Sequence, residues 1–161
     1  MAAFMKLADI EGEATDKGHE KWILIESMSA PLHRTVPEGA KDQQRSRGHT
    51  VLGDVVIVRQ LDKSSTKLQQ NCANGTFFKE VLIDFCTQVK NKQEPYLKYK
   101  LENAIITSYS FHGVESGQPI PSEQITINCT GAEWTYIVVN KDTGAKEGEV
   151  PGKFSPGAGQ S

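Results

Sequence analysis

This sequence of 161 residues lacks the long hydrophobic runs that mark a membrane protein. Apolar runs such as 55–58 and 136–139 have four residues each, whereas a helix needs about 20 residues to cross a bilayer. The amino terminus has no basic start followed by an apolar stretch, and the acidic Asp9 and Glu11 come early. We therefore expect no cleavable secretory signal and no membrane insertion.

The net charge and the number of cysteines are also low. Eighteen basic residues stand against 20 acidic ones, and the net charge of −2 gives no field that would attract nucleic acid or an anionic membrane. Cys72, Cys86 and Cys129 are an odd number without a Cys-x-x-Cys pair. This pattern is typical of a reducing compartment, and we interpret the three thiols as buried small hydrophobes.

The usual signatures of enzymes are missing. There is no phosphate-binding loop, no dinucleotide-binding glycine motif and no nucleophile elbow, and the pair His19-Glu20 lacks the second histidine of a zinc protease. Asp84 and Glu133 are candidate general bases, but lone carboxylates on polar strand faces are nearly always solvated. The histidines have no ligand spacing and are interpreted as solvated: His19, His33, His49 and His112. We expect no enzyme, and therefore no catalytic residue, metal site or cofactor.

What the sequence does contain is alternation of apolar and polar residues with a period of two. Along 97–111 the odd positions are mostly apolar, which predicts one long strand or two strands joined by a bend near Asn103. Residues 80–89 alternate in the same way. Shorter strands are predicted at 4–10, 22–28 and 52–61.

The alternation changes phase within the last long segment. Ile125 and Ile127 are at odd positions, whereas Trp134 and Tyr136 are at even ones, and Gly131 lies between them. One extra residue inverts the side-chain alternation of a strand. The sequence therefore predicts a β-bulge at Gly131.

Only one segment has the signature of a helix, at about 64–74. The stretch that begins at Asp62 supplies N-cap oxygens, Leu68 and Cys72 share a face, and Gly75 supplies a left-handed stop. One helix among many alternating segments predicts a mainly β fold. We expect a compact antiparallel β-barrel of two packed sheets with one short α-helix.

Two stretches break the β pattern. Residues 31–50 are rich in charge, proline and glycine and predict a long extended loop. Residues 140–161 hold five of the 14 glycines and two of the seven prolines, which predicts a flexible C-terminal tail. The predicted organisation is a single β-barrel domain at 1–139 followed by that tail.

Some apolar residues lie on strand faces that are otherwise polar. They are Leu82, Ala104 and Ile106. Either a second subunit or the helix at 64–74, packed over one sheet, would cover such residues, and the sequence leaves both alternatives open. We take the three as candidate subunit-interface residues.

Three segments together resemble one known family. They are FMKLADIEGEATDKGHEKWILIES, DVVIVRQLDKSSTKLQQNCANGTFFKEVLI and SEQITINCTGAEWTYIV. In this order they resemble the haemolysin-coregulated protein (Hcp) family, the tube subunit of type VI secretion, over roughly residues 3–30 and 51–139. The chain departs from the family between these ranges, where the charged GAKDQQRSRGH stands in place of the glycine-rich loop of many relatives.

The resemblance implies a subunit that is not an enzyme. Members form homohexameric rings that stack into a hollow tube, which grows inside a contractile sheath, carries a spike protein at its tip and holds effector proteins in its lumen. The tube is fired out of a Gram-negative cell. The resemblance therefore implies a chain that is made in the cytoplasm without a signal peptide and is secreted by the type VI system.

The polar loop at 31–50 is the candidate for contacts between rings. It is too polar for a core and too long for a simple connection. We expect these residues to dock on the neighbouring ring through contacts that weaken in salt: Arg34, Lys41, Asp42, Arg45 and Arg47.

Two other interpretations remain. A monomeric β-barrel module that binds a small ligand or a carbohydrate would present an aromatic platform, for which Trp22, Trp134 and Tyr136 are the candidates. Their alternation favours core packing for Trp134 and Tyr136 instead. A hydrolase built on Asp, Glu and His is the weaker alternative.

Overall fold

The computed structural model describes residues 2–39, 41–113 and 120–155, and of residues 46 and 47 it describes the backbone only. Within these residues the chain forms eleven β-strands, one α-helix and one 3-10 helix. The strands are β1 (Ala2–Leu7), β2 (Ile23–Ile25), β3 (Ser27–Ser29), β4 (Leu32–Arg34), β5 (Thr50–Leu52), β6 (Val55–Gln60), β7 (Phe77–Val89), β8 (Lys92–Phe111), β9 (Ser122–Asn128), β10 (Gly131–Val139) and β11 (Lys146–Phe154). The helix α1 spans Ser65–Asn74, and the 3-10 helix spans Asp42–Arg47.

The main sheet is antiparallel and has the strand order β2-β1-β7-β8-β9-β6-β3. Its first and last strands are separated in the chain by Glu26 alone, whose backbone N–H donates to the carbonyl of Val58 on β6 at 2.9 Å. The sheet path thus returns to the segment from which it starts. The predicted mainly β, antiparallel class with one helix is confirmed.

Strand β8 is 20 residues long and organises the rest of the sheet. It pairs with β7 along most of its length, with β9 through residues 105–111 and with β10 through residues 97–102. Asn103 lies between these last two stretches with a left-handed φ of 50°. Of the two predicted alternatives, one long strand is confirmed, and Asn103, where the bend was predicted, is a left-handed position within that strand.

The predicted bulge at Gly131 is a strand boundary instead. β9 ends at Asn128, and β10 begins at Gly131. Thr130, between the two strands, donates its backbone N–H to the carbonyl of Glu102 at 3.1 Å. This break still inverts the alternation, because both Ile127 and Trp134 pack into the core.

Helix α1 follows the predicted pattern. The backbone N–H of Ser64 donates to the Asp62 carboxylate at 2.8 Å, and Leu68 is fully buried against the sheet. Gly75 ends the helix with a left-handed φ of 64°, and its N–H donates to the carbonyl of Cys72. A glycine is favoured there because residues with a Cβ seldom adopt this conformation.

The chain buries two separate apolar clusters. The large cluster packs on one face of the main sheet and includes Leu68, Val81 and Ile125. The small one lies on the other face of β1 and β7 and consists of Phe4, Ala14 and Cys86, with Ala2 and Trp22 packed against it. The segment 11–22 covers this second face, so β1 and β7 are buried on both sides.

The segment predicted as a long loop has some regular structure of its own. Within 31–50 the described residues include β4, the 3-10 helix and the first residue of β5, and β4 pairs with β5 in a separate two-stranded sheet. We call residues 31–53 the hairpin arm. Its base is closed by the N–H of Gly53, which donates to the carbonyl of Pro31 at 2.9 Å.

The prediction of a flexible tail from residue 140 is wrong for residues 146–154. These residues form β11, which pairs with β10 from Ala132↔Phe154 to Val139↔Lys146. Asn140 closes the connecting turn, because its side-chain oxygen accepts the N–H groups of Asp142 and Thr143. Residues 156–161, the rest of the predicted tail, lie outside the described part of the chain.

Among the described residues, no helix has the length and apolar character needed to span a membrane.

Candidate assembly surfaces

The hairpin arm carries the residues that we expected to mediate contacts between rings. Arg34 is exposed on β4 and donates to the carbonyl of Gly48 at 3.1 Å. Lys41, Asp42 and Arg45 are exposed at and within the 3-10 helix, where Asp42 has a left-handed φ of 44°. The structure thus brings these four onto one arm. The side chain of the fifth, Arg47, is outside the description.

The same arm also presents apolar side chains to solvent. Leu32, Val36 and Val51 are each about half exposed. The high charge of this segment hides the feature, because Leu32 and Val36 are isolated apolar residues within it. The arm is therefore an amphipathic surface and not a purely charged one.

The predicted subunit-interface residues separate into two groups. Ala104 and Ile106 are 0% and 2% exposed within the chain's own core, next to Leu68 of α1 in the large cluster. Their burial contradicts the interface expectation for these two residues, since the interior covers them. Leu82 is half-buried on β7, where it borders an open cleft with His19 and Lys98.

The structure reveals an apolar strip that the sequence analysis missed. Tyr136 and Val150 are directly paired across β10 and β11 and are 50% and 62% exposed. Val138 continues the strip along β10, and the ring of Tyr96 meets that of Tyr136 edge-on at 6.4 Å between centroids. The sequence signal for this strip is the alternation of apolar residues at 134–138, which predicted core packing for all of them.

Strand β11, which carries Val150, has an open edge. Within the described residues β11 pairs with β10 alone. An edge strand presents unpaired N–H and C=O groups and is a template for pairing with another chain. Pro151, in the middle of β11, lies on such a strand without disturbing the ladder of an inner one.

A buried ionic cluster joins three strands to the start of the helix. The guanidinium of Arg59 on β6 contacts the carboxylates of Glu123 on β9 and of Asp62, the latter at 2.6 Å, and its Nε donates to the carbonyl of Leu24. The hydroxyl of Tyr109 also donates to Glu123. This cluster ties β6, β8, β9 and the start of α1 together.

The protonation states in this cluster follow from its contacts. Burial by itself raises the pKa of Asp62, but hydrogen bonds from Arg59 and Ser64 outweigh it and hold that pKa below its ordinary value of 3.8. Burial, together with the hydrogen bond to Glu123, raises the pKa of the Tyr109 hydroxyl. Asp62 is therefore ionised and Tyr109 neutral at physiological pH.

A second buried cluster has the composition of a nucleophilic triad. His19, expected in solvent, is buried, with Nδ1 2.9 Å from Asp16 and Nε2 2.9 Å from Asp84, and the sulfur of Cys86 is 4.0 Å from Nε2. Burial, followed by the charges of Asp84 and Asp16, raises the pKa of the Cys86 thiol to about 12. A fully buried neutral thiol is a poor nucleophile, so the arrangement does not support thiol catalysis.

The described residues offer no metal site of the usual kind. No group of three or more His, Cys, Asp or Glu among them is placed to hold a metal ion. The apolar cavity between the base of the hairpin arm and Trp134 is about 70 Å³, whereas small-molecule sites usually measure about 300–1,000 Å³. The larger open cleft, about 540 Å³, is lined mainly by charged and polar side chains.

The aromatic residues considered for a ligand platform are not assembled into one. Trp22 packs edge-on against His19, Trp134 packs into the core beside Tyr99, and Tyr136 is exposed beside Tyr96. A carbohydrate platform needs exposed rings that share one surface. The monomeric ligand-binding alternative thus finds no support here.

Comparisons with known proteins agree with this architecture. A curated relative, Protein hcp1 of Pseudomonas aeruginosa, is 26% identical over 145 residues, which cover 90% of this chain and 88% of the relative. A solved structure described as a type six secretion system protein superposes with a TM-score of 0.87 at 24% identity, over 96% of this chain and 95% of its own. Hcp1 from Salmonella typhimurium superposes with a TM-score of 0.74 at 19% identity, over 96% and 93%.

The family described as "Type VI secretion system effector, Hcp" matches residues 4–136. This range runs from β1 to the middle of β10 and contains α1, the hairpin arm and, apart from Ala2 and Ala3, both buried clusters. The chain therefore belongs to the Hcp family of the type VI secretion system.

Proposed function

We propose that this chain, a tube subunit of the type VI secretion system and not an enzyme, forms hexameric rings that stack into a hollow tube. The observation that carries the proposal is the family match, which spans nearly the whole β fold. Two surfaces of the described chain support it. Each fits one of the two kinds of contact that a stacked-ring tube requires.

The apolar strip fits the contact between neighbours within a ring. Tyr136 and Val150 leave about half of their side-chain surface in water although they are directly paired, and the edge of β11 runs beside them. Apolar side chains at the centre of an interface supply most of its free energy, and backbone groups at a strand edge supply hydrogen bonds. The occupant is a second copy of this chain, and Leu82 is an additional candidate for the same role.

The hairpin arm fits the contact between rings. Its charged residues favour a rim-like interface of modest affinity, and exposed Val36 and Val51 add apolar contact area. Arg34, Lys41, Asp42, Arg45 and Arg47 are the proposed stacking residues. A modest interface suits a tube that assembles and later comes apart.

Membership of the family supports the remaining partners that we propose. The tube grows within a contractile sheath, bears a spike protein at its tip and carries effector proteins in its lumen. The subunit leaves the cell by type VI secretion. We propose no cofactor, no nucleic acid and no membrane-inserted state as part of this function.

The decisive experiment is the mass of the purified chain in solution. We expect native mass spectrometry and light scattering to give six times the 17.7 kDa of one chain, and electron microscopy to show rings of uniform diameter. A closed oligomer keeps its mass on dilution over a wide range. A monomer at every concentration tested would refute the ring, whereas rings that never stack would refute only the tube.

A further inference from the structure

The buried His19 makes close contacts with two carboxylates at once. Its Nδ1 lies 2.9 Å from Asp16 Oδ2 and its Nε2 lies 2.9 Å from Asp84 Oδ2. Only 4% of the residue is exposed. The ring is fixed in place because it stacks on Phe4 at 4.5 Å with an interplanar angle of 7° and meets the edge of Trp22 at 4.8 Å.

These contacts determine how many protons the group must hold. A neutral imidazole has one N–H and one lone pair, and an ionised carboxylate has only acceptors. With a neutral ring and two carboxylates, one nitrogen lone pair would face a carboxylate oxygen in a buried site, which is strongly unfavourable. One additional proton, on the ring or on a carboxyl, turns both contacts into hydrogen bonds, and a proton on the ring makes both of them charge-assisted.

Groups from several elements surround His19 and its two carboxylates. The two carboxylates come from different elements, Asp84 from β7 and Asp16 from the segment 11–22, and β1 contributes the apolar Phe4. The nearby Cys86 thiol is neutral, as argued above. The remaining charged groups line the mouth of the adjacent cleft and come from the same segment, β8 and β10: Lys17, Lys92, Glu94, Lys98, Lys100 and Glu133.

The contacts of His19 also connect two parts of the fold. The segment 11–22 is held together internally by backbone bonds, from the N–H of Gly12 to the carbonyl of Lys21 at 2.7 Å and from the N–H of Lys21 to the carbonyl of Ala14 at 2.9 Å. It therefore forms a small unit of its own over β1 and β7. The contact between His19 and Asp84 joins this unit to the sheet.

We propose that Asp16, His19 and Asp84 form a proton-dependent clasp, which holds one proton more than a neutral histidine and two carboxylates and thereby closes the segment 11–22 over β7. Loss of this proton at higher pH replaces two hydrogen bonds by one bond and one repulsive contact. The segment then separates from β7 and exposes Phe4, Trp22 and Cys86. This inference concerns the single chain and does not depend on ring or tube formation.

The direction of the pH dependence follows from proton linkage. The closed state binds one more proton than the open state. Closure therefore weakens as the pH rises. The ratio of open to closed molecules rises by up to tenfold for each pH unit, because one proton is released on opening.

The test follows opening of the segment in the full chain between pH 5.5 and 9. Amide hydrogen exchange, corrected for its intrinsic pH dependence, measures the opening equilibrium at residues 11–22 and 82–86. NMR of the ring nitrogens reports the protonation of His19, and the exposed His33, replaced in His33→Gln, serves as the matched control for the ring signals. We expect the opening constant to rise with pH in the native sequence, by up to tenfold per pH unit.

Asp16→Asn separates the proton effect from simple packing. The side chain of Asp16 is 16% exposed, and asparagine is nearly the same size. The asparagine amide can donate to the unprotonated Nδ1 of His19 or accept from the protonated one. We expect this variant to stay closed with a flat pH profile. A flat profile in the native sequence, or an unchanged slope in Asp16→Asn, would overturn the clasp. If Asp16→Asn does not fold, the slope in the native sequence alone decides the question.

Discussion

Arg59 and Glu123 form an ion pair in the interior of the fold, where their side chains are 1% and 0% exposed. The pair is part of a larger cluster, because Asp62 also contacts Arg59 and the hydroxyl of Tyr109 donates to Glu123. A buried charge is tolerated only when it is paired and hydrogen-bonded. The cluster thus couples the position of β6 to those of β9 and α1.

We predict that Arg59→Met strongly destabilises the chain. It leaves two buried carboxylates without their cation, and breaking one side of a buried pair typically costs about 3–5 kcal/mol. Chemical denaturation of the purified variant measures this loss. The matched control is Lys100→Met, because Lys100 forms a solvent-exposed pair with Glu80 at 3.5 Å and such pairs contribute little. Equal effects of the two substitutions would contradict this account of the cluster.

We predict that Asp62→Asn destabilises the chain at neutral pH and that this destabilisation disappears in acid. The pKa of Asp62 is held below 3.8 in the folded chain, chiefly because hydrogen bonds from Arg59 and Ser64 outweigh the effect of burial. A carboxyl with a lowered folded-state pKa stabilises the fold above its unfolded pKa, and this contribution disappears as the pH falls through the folded pKa. The difference in unfolding free energy between the native chain and Asp62→Asn should therefore be full at pH 7. It should shrink as the pH falls below about 3.8, and a difference that is constant with pH would argue against the assignment.

The packing of Trp134 against β11 gives a third prediction. A Cβ at Gly152 would lie 2.2 Å from the indole Nε1 of Trp134, so a side chain there must displace the ring. We expect Gly152→Val to cost about 1–3 kcal/mol through overpacking and to change the tryptophan fluorescence. Gly148→Ala is the control on the same strand, since its Cβ meets no atom within 4 Å. Similar melting temperatures for the two variants would show that the indole is not fixed there.

Local patterns were enough to predict the frame of the fold. The alternation along 97–111 predicted β8, and the left-handed stop at Gly75 predicted the end of α1. These elements follow from side-chain periodicity and backbone preference, which a single segment reveals. Asn103, where a bend was predicted for the same reason, is a left-handed position within β8.

Features that depend on distant residues could not be predicted in this way. Asp84 was interpreted as solvated because it lies on the polar face of β7, yet His19, 65 residues away, contacts and buries it. The tail at 140–161 was predicted to be flexible from its glycine content. The glycine at 152 is instead what lets Trp134 lie against β11, so composition alone pointed to the wrong conclusion.

The candidate surfaces were predictable only in part. The charged residues of the hairpin arm stand out in sequence, and four of the five are exposed on the arm as described. Ala104 and Ile106 failed as surface residues because both are buried in the large cluster, on the stretch of β8 that directly follows the left-handed Asn103. The apolar strip escaped notice since Val150 lies in the segment assigned to the tail.

We predict that Val150→Lys separates the proposed ring into single chains. Val150 is 62% exposed and directly opposite Tyr136, so a lysine there leaves the folded chain intact but places an unpaired charge in the lateral contact. Native mass spectrometry should show monomers with an unchanged melting curve of the isolated subunit. Val150→Ile is the control that retains the apolar surface. Rings of normal mass in Val150→Lys would exclude the strip from the lateral interface.

We predict that reversing two charges of the hairpin arm weakens stacking and leaves rings intact. Lys41→Glu combined with Arg45→Glu changes exposed side chains only, so the fold and the ring mass should be unchanged. Contacts made by exposed charges are screened by salt, and tube formation by the native chain should accordingly fall as the ionic strength rises. Electron microscopy measures tube length for both chains.

The control for this last prediction is Lys67→Glu combined with Lys79→Glu, which changes the net charge equally at exposed sites outside the arm. It should form tubes as the native chain does. If the arm variant separates into single chains, the arm belongs to the lateral contact within a ring. If both variants form tubes of native length, the charges of the arm have no part in stacking, and Val36 and Val51 are the next residues to replace.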